Sequence, residues 1–170
     1  WEIAAQHYGL RLPLTALFRP QRRPSIDGLL RKVRQRNFLK TAPADLAGVR
    51  ALYRALQRGE AIGILPDQVP GEGEGVWADF FGKPAYTMTL ATRIAAARNT
   101  PVLLAFAERL PYGRGYRIHF EPLPQALPDE AAERHLNRSL EGLIRRRPEQ
   151  YLWAYNRYKT PAGVDPVDKS

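Results

Sequence analysis

Four carboxylates fall in one glycine-rich stretch: Asp67, Glu72, Glu74 and Asp79. Oxygen ligands at that density could hold a hard cation, and the ordinary alternative is a solvated acidic loop. Gly71-Glu72-Gly73-Glu74-Gly75 has the glycines of a phosphate cradle, but its two glutamates would repel a phosphate. No Gly-x-Ser-x-Gly elbow and no Walker A loop occurs. The three histidines, His7, His119 and His135, are far apart, and each reads as a surface or boundary residue. With no cysteine there is no disulfide, no Cys-based zinc site and no thiol nucleophile. The arginines divide by position. Arg31, Lys32, Arg34 and Arg36 share one face of a candidate helix, and Arg145–Arg147 close another, where the helix dipole favours cations without any ligand. Arg19 follows Phe18 and precedes Pro20 at the end of a candidate strand, where open α/β sheets place ligand groups.

The whole chain shares this basic bias. Lys and Arg number 26 against 17 Asp and Glu, a net +9 over 170 residues. Such a surface selects an anionic partner: nucleic acid, an acidic lipid surface or a phosphorylated substrate. Apolar residues at 44% describe a folded domain rather than a disordered tail. No apolar run approaches the roughly 18 residues of a spanning helix. The chain opens at Trp1 without methionine or a signal peptide, so a fragment is the simplest reading.

The elements that must position these residues alternate in period. A helix over 2–8 stops at Gly9, and 11–19 reads as a strand. Ser25 caps a helix to about Arg36, with Ile26, Leu29, Leu30 and Val33 on its apolar face. Asp45 caps the clearest helix. Leu46, Val49, Leu52, Tyr53 and Leu56 form its stripe, and Gly59 ends it. Ala61–Leu65 is a short strand, 67–85 an irregular loop long enough to serve a site, and Thr87 caps a helix to Asn99. Pro101–Leu110 and 116–121 form a hairpin. A helix follows from about Asp129 to Arg147, with Leu136, Leu140, Leu143 and Ile144 inward, and 151–155 adds an edge strand. The expected class is α/β, with a mixed β-sheet flanked by helices.

Several blocks together resemble the bacterial lipid A late acyltransferase family (lauroyl and myristoyl acyltransferases). Trp1-Glu2 is similar to the end of that family's His-x-Gly-x-Trp-Glu segment. Phe18-Arg19-Pro20, Gly63-Ile64-Leu65-Pro66-Asp67-Gln68 and Phe80-Phe81-Gly82-Lys83-Pro84-Ala85 follow in order. Thr100-Pro101-Val102, Gly113-Arg114-Gly115-Tyr116 and Pro148-Glu149-Gln150-Tyr151-Leu152-Trp153 complete the pattern over nearly the whole chain. The resemblance implies a glycerolphosphate-acyltransferase-like sandwich over 1–170, one acyltransferase domain with 161–170 as a flexible tail. It also implies transfer of a fatty acyl chain from an acyl carrier protein thioester to a hydroxyl of a lipid A precursor, without a cofactor. That reaction belongs on the cytoplasmic face of the bacterial inner membrane, whose anionic surface suits the positive charge.

The same resemblance assigns roles. Glu2 would orient the histidine of a His-x4-Glu pair, against its ordinary reading as a helix-start carboxylate. Arg19 would bind a phosphate of the lipid or of the donor's pantetheine arm, and Arg34 a lipid phosphate or the acidic carrier. Asp67, otherwise a turn residue after Pro66, would orient Arg19 or the acceptor sugar, with Gln68 beside it. Phe80, Phe81 and Gly82 would wall an acyl tunnel or merely anchor a loop. The family's histidine falls five residues before Glu2, ahead of Trp1. The chain by itself is therefore expected to be the inactive C-terminal portion of a longer protein, without base or N-terminal anchor. Two alternatives are an acyl-CoA-dependent acyltransferase for another glycolipid, such as a phosphatidylinositol mannoside, and a non-enzymatic nucleic-acid-binding module. The second rests on charge and on the Tyr/Arg mixing of 151–159. No recognised nucleic-acid-binding signature supports it, so nucleic acid is not the expected partner.

Overall fold

A computed structural model describes residues 2–18 and 38–167, which form two compact units, 1–65 and 66–170. The expected helix over 25–36, together with Arg19 and Arg34, lies outside the described residues.

In the first unit, α1 (Glu2–Tyr8) ends at Gly9, whose amide donates to the Ala5 carbonyl at 2.8 Å. Three parallel strands follow: β1 (Leu14–Phe18), β2 (Leu39–Pro43) and β3 (Ala61–Gly63), in the order β2-β1-β3. Leu14 pairs with Leu39 on one side and Ala61 on the other. Ala5, Ala16 and Leu39 pack into one buried cluster, and the small alanines let α1 lie close to the sheet.

α2 (Leu46–Gln57) begins where expected. Asp45 accepts a hydrogen bond from the Gly48 amide at 2.8 Å, a cap worth about 1 kcal/mol. Of the expected stripe, Leu52 is buried and Val49, Tyr53 and Leu56 are half-buried, while Leu46 is exposed and Gly48 and Ala55 join the buried face. The helix start sits so close to β2 that a Cβ on Gly48 would collide with the Pro43 carbonyl, which rotates the small residues inward.

The second unit holds two antiparallel hairpins. β4 (Gly75–Phe80) and β5 (Lys83–Met88) occupy much of the expected loop, with Phe80 opposite Lys83. Thr87 therefore does not cap a helix. It is buried in β5, and α3 (Leu90–Arg98) starts after Thr89. α3 stops at Asn99 in the left-handed region, a conformation asparagine tolerates. β6 (Leu103–Arg109) and β7 (Tyr116–Pro122) form the expected hairpin, with Arg109 opposite Tyr116. α4 (Ala132–Ile144) buries Leu136 and Leu143 along with Asn137, Ser139 and Glu141. Residues 151–155 form turns rather than an edge strand.

The α/β class holds. Among the described residues, however, parallel and antiparallel pairs occupy separate sheets rather than one mixed sheet. No described helix is long and apolar enough to cross a membrane.

Candidate functional site

Glu2 opens α1 in the first unit and is half-buried. The other described candidates, Asp67, Gln68, Phe80, Phe81 and Gly82, belong to the second. Asp67 and Gln68 are half-buried in the turn after Pro66. Next to them the Val69 amide donates to the Tyr155 hydroxyl at 2.8 Å, which ties this turn to the C-terminal segment.

That segment supplies what the sequence reading did not assign. Arg157 is 2% exposed. Its Nη1 donates to the Tyr86 carbonyl at 2.8 Å, and its Nη2 to Thr87 Oγ1 at 2.9 Å and Asn137 Oδ1 at 3.4 Å. Asn137, fully buried on α4, donates to Thr87 Oγ1 at 2.8 Å and to the Asp79 carbonyl at 3.0 Å. The Thr87 hydroxyl donates to the Ala85 carbonyl at 2.9 Å. A polar cluster this dry must be almost fully satisfied to be tolerated. Arg157 Nε is the exception, the single buried side-chain N or O atom without a partner among the described residues.

The charge of Arg157 shapes its surroundings. Its guanidinium carbon lies 5.3 Å from the Phe80 ring centroid, a cation–π placement. Burial lowers the Arg157 pKa, yet a guanidinium stays charged even so. Burial raises the Asp67 carboxyl above its ordinary value, while Arg157 and a hydrogen bond with Tyr151 pull it back. The Tyr151 hydroxyl is pushed up to about 12, by burial first and then by the Asp67 charge.

Aromatic rings complete the site. Phe80, 1% exposed, packs on Phe81, Tyr151 and Tyr158, at centroid separations of 4.8, 6.5 and 6.2 Å. Tyr158 donates to the Phe80 carbonyl at 2.9 Å. Phe80, Tyr151, Trp153, Arg157 and Tyr158 line an open cavity of about 240 Å³. The wall is mainly aromatic, and the Nη atoms of Arg157 are already bonded to Tyr86, Thr87 and Asn137.

The acidic loop does not build a cation site. Glu74 accepts from the Gly71 amide at 2.8 Å, and no three described His, Asp or Glu side chains gather to hold a metal. The histidines have structural partners. His119 stacks 4.4 Å from Phe106 and bonds Glu108 at 2.8 Å, and His135 meets the Pro124 carbonyl at 2.8 Å.

The model of a family described as bacterial lipid A biosynthesis acyltransferase matches residues 1–160. The chain belongs to that family. It is 30% identical to a lipid A biosynthesis lauroyltransferase of Escherichia coli strain K12, over 96% of this chain and 54% of the relative. A palmitoleoyltransferase of the same organism is 29% identical, over 95% and 54%, and a myristoyltransferase 26%, over 92% and 50%. The chain thus spans about half the length of the curated relatives it matches. The matched span, 1–160, contains every candidate named at the sequence level. The signal that pointed to part of this segment was the family block 148–153 together with the Tyr/Arg mixing of 151–159, neither of which singles out Arg157.

Proposed function

We propose that this chain is the body of an O-acyltransferase that esterifies a hydroxyl of a lipid A precursor with a fatty acyl chain. The donor is a thioester on acyl carrier protein, and the place of reaction is the anionic cytoplasmic surface of the bacterial inner membrane. One observation carries the reading: the family match runs unbroken over 1–160. The aromatic cavity beside Asp67 supports it, because a fatty chain needs an apolar wall near polar groups that can hold a sugar. The net +9 supports it too, since each cation near an acidic lipid surface contributes about 1 kcal/mol. On this reading the chain forms one acyltransferase domain with a sandwich like that of glycerolphosphate acyltransferases, and is the C-terminal portion of a longer protein.

The chemistry follows from a weak nucleophile. An alcohol attacks a thioester slowly at neutral pH unless a base removes its proton as the C–O bond forms. A histidine five residues before Glu2 takes that proton. Glu2 accepts from the other ring nitrogen, which fixes the tautomer and stabilises the imidazolium. The tetrahedral adduct collapses, the C–S bond breaks, and the proton passes to the departing thiolate. Arg19 and Arg34 bind phosphates of donor or acceptor, Asp67 and Gln68 hold the acceptor sugar, and Phe80, Phe81 and Gly82 border the acyl chain.

The test is ester formation by the longer protein from labelled acyl carrier protein and a lipid A precursor. Glu2→Ala is expected to lower turnover by at least a hundredfold with unchanged circular dichroism. Turnover within threefold of the parent would remove Glu2 from the mechanism, and no ester from the parent would remove the reading itself.

A further inference from the structure

The turn between β4 and β5 has only two residues, Phe81 and Gly82, because Phe80 pairs with Lys83. Both have positive φ, 51° and 72°. Such turns match the twist of a hairpin and favour Asn-Gly, since asparagine and glycine enter the left-handed region with little penalty. A bulky aromatic in that region is strained.

Phe81 is held from two sides. Its amide donates to Glu141 Oε1 at 2.9 Å. The Glu141 side chain, 4% exposed, is fixed in turn by Arg134 at 2.6 Å and Arg145 at 3.3 Å. The Phe81 ring lies edge-on to Phe80 at 4.8 Å and 5.8 Å from Trp153, and the Arg145 guanidinium carbon sits 5.0 Å from its centroid. Phe80 and Trp153 are themselves walls of the aromatic cavity. If turning the chain were the only task, asparagine would do it with less strain. The ring is what the strain preserves, and the ring extends an apolar wall.

We propose that Glu141 is a positioning residue that holds the Phe81 ring, against backbone strain, as the outer part of an alkyl-binding wall that begins at Phe80 and Trp153, and that Phe81 thereby sets the preferred chain length. This deepens the acyl-transfer reading and rests on it for the nature of the ligand. A mere packing anchor predicts something different. Deleting an anchor costs stability and leaves ligand preference alone, whereas deleting a strained binding residue spares stability and removes binding.

The experiment titrates dodecanoate and hexadecanoate into the full chain by calorimetry and unfolds the same proteins in urea. Phe81→Asn is expected to keep or raise the urea midpoint and to weaken dodecanoate at least tenfold. Glu141→Gln keeps an acceptor for the Phe81 amide but loses the charge that gathers Arg134 and Arg145. It is expected to change the dodecanoate-to-hexadecanoate affinity ratio at least threefold, with no further change when Phe81→Asn is added. A lowered midpoint with unchanged affinity for Phe81→Asn would overturn the proposal, as would an unchanged ratio for Glu141→Gln. A parent that binds neither fatty acid would overturn it even if the longer protein forms ester. Phe81-dependent binding without ester formation would sustain the wall and sink the transfer reading.

Discussion

The two hairpins of the second unit turn through the same unfavourable conformation and treat it in opposite ways. Phe81 in the β4–β5 turn has φ 51°, and Tyr112 in the β6–β7 turn has φ 57°. Phe81 is pinned by a buried carboxylate and three neighbouring side chains. Tyr112 is 96% exposed. The faces differ as well. β4–β5 turns its dry side to α4 through Asn137, Thr87 and Arg157. β6–β7 is tied to the end of α4 by ion pairs, Glu108 to Arg147 and Glu121 to Arg146, each at 2.6 Å. Its outward face carries Leu103, Phe120 and Tyr116, all exposed. One hairpin is a core element with polar pins, the other a surface element with ionic ones. Strain is informative only in the first, where the surroundings insist on it.

The largest expected effect tests the core status of the first hairpin. Phe80→Ala removes a fully buried ring that touches Phe81, Tyr151 and Tyr158, and should destabilise the protein by about 3–5 kcal/mol in urea unfolding. A loss below 1 kcal/mol would mean that this hairpin is no more central than the other.

The polar pins come next. Arg157→Ala leaves a void and strips partners from the Tyr86 carbonyl and Thr87 Oγ1, an expected loss of about 3 kcal/mol. Asn137→Ala should cost about 2 kcal/mol. Because both bond Thr87 Oγ1, their effects should not add. A double-mutant cycle should show coupling of roughly 1 kcal/mol, and strict additivity would break the picture of one network.

Acid should separate the hairpins by sign. Glu108 is held below its ordinary value of 4.5 by hydrogen bonds from Arg147 and His119, and Glu130, in the loop after β7, is pulled to about 2 by Arg138. A depressed carboxyl stabilises the fold above its unfolded pKa. That contribution fades as pH falls below about 4.5, and for Glu130 it is gone near 2. Asp67 is raised from 3.8, so its contribution runs the other way: complete below 3.8 and lost as pH rises through the folded value. Amide exchange protection, corrected for intrinsic rates, should therefore fall first in β6–β7 as pH drops from 6 to 3. Simultaneous loss in both hairpins would contradict this division.

The same contrast explains what could be read in advance. Asp45 with the stripe after it marked a capped helix, and the alternation of 116–121 marked the second hairpin, because both signals are local. The first hairpin was hidden because its turn holds a phenylalanine where turn chemistry expects asparagine, and only Glu141, 60 residues later, makes that tolerable. Asn137 and Glu141 fall outside the apolar stripe that marks the last helix, yet both are buried. The family blocks singled out Asp67, Phe80 and Phe81 as candidates, whereas the partnership of Arg157 with Thr87 joins positions that no short-range pattern connects.

The smallest expected effect bears on the outward face of β6–β7. Phe120 is 41% exposed and sits opposite Ala105, so less apolar area is at stake there than at Phe80, which is 1% exposed. The polar residues of the neighbouring register pairs, Glu121 and His119, point to the other side and keep their partners Arg146 and Glu108 whatever stands at 120. Phe120→Ala should therefore cost about 1 kcal/mol, well below the loss expected for Phe80→Ala, although both remove a strand phenylalanine. The pair of substitutions compares one residue type in two settings, which isolates burial from chemistry. A loss at Phe120 approaching that at Phe80 would show that the outward face is covered in solution, and the two hairpins would then have to be regarded as equal parts of one core.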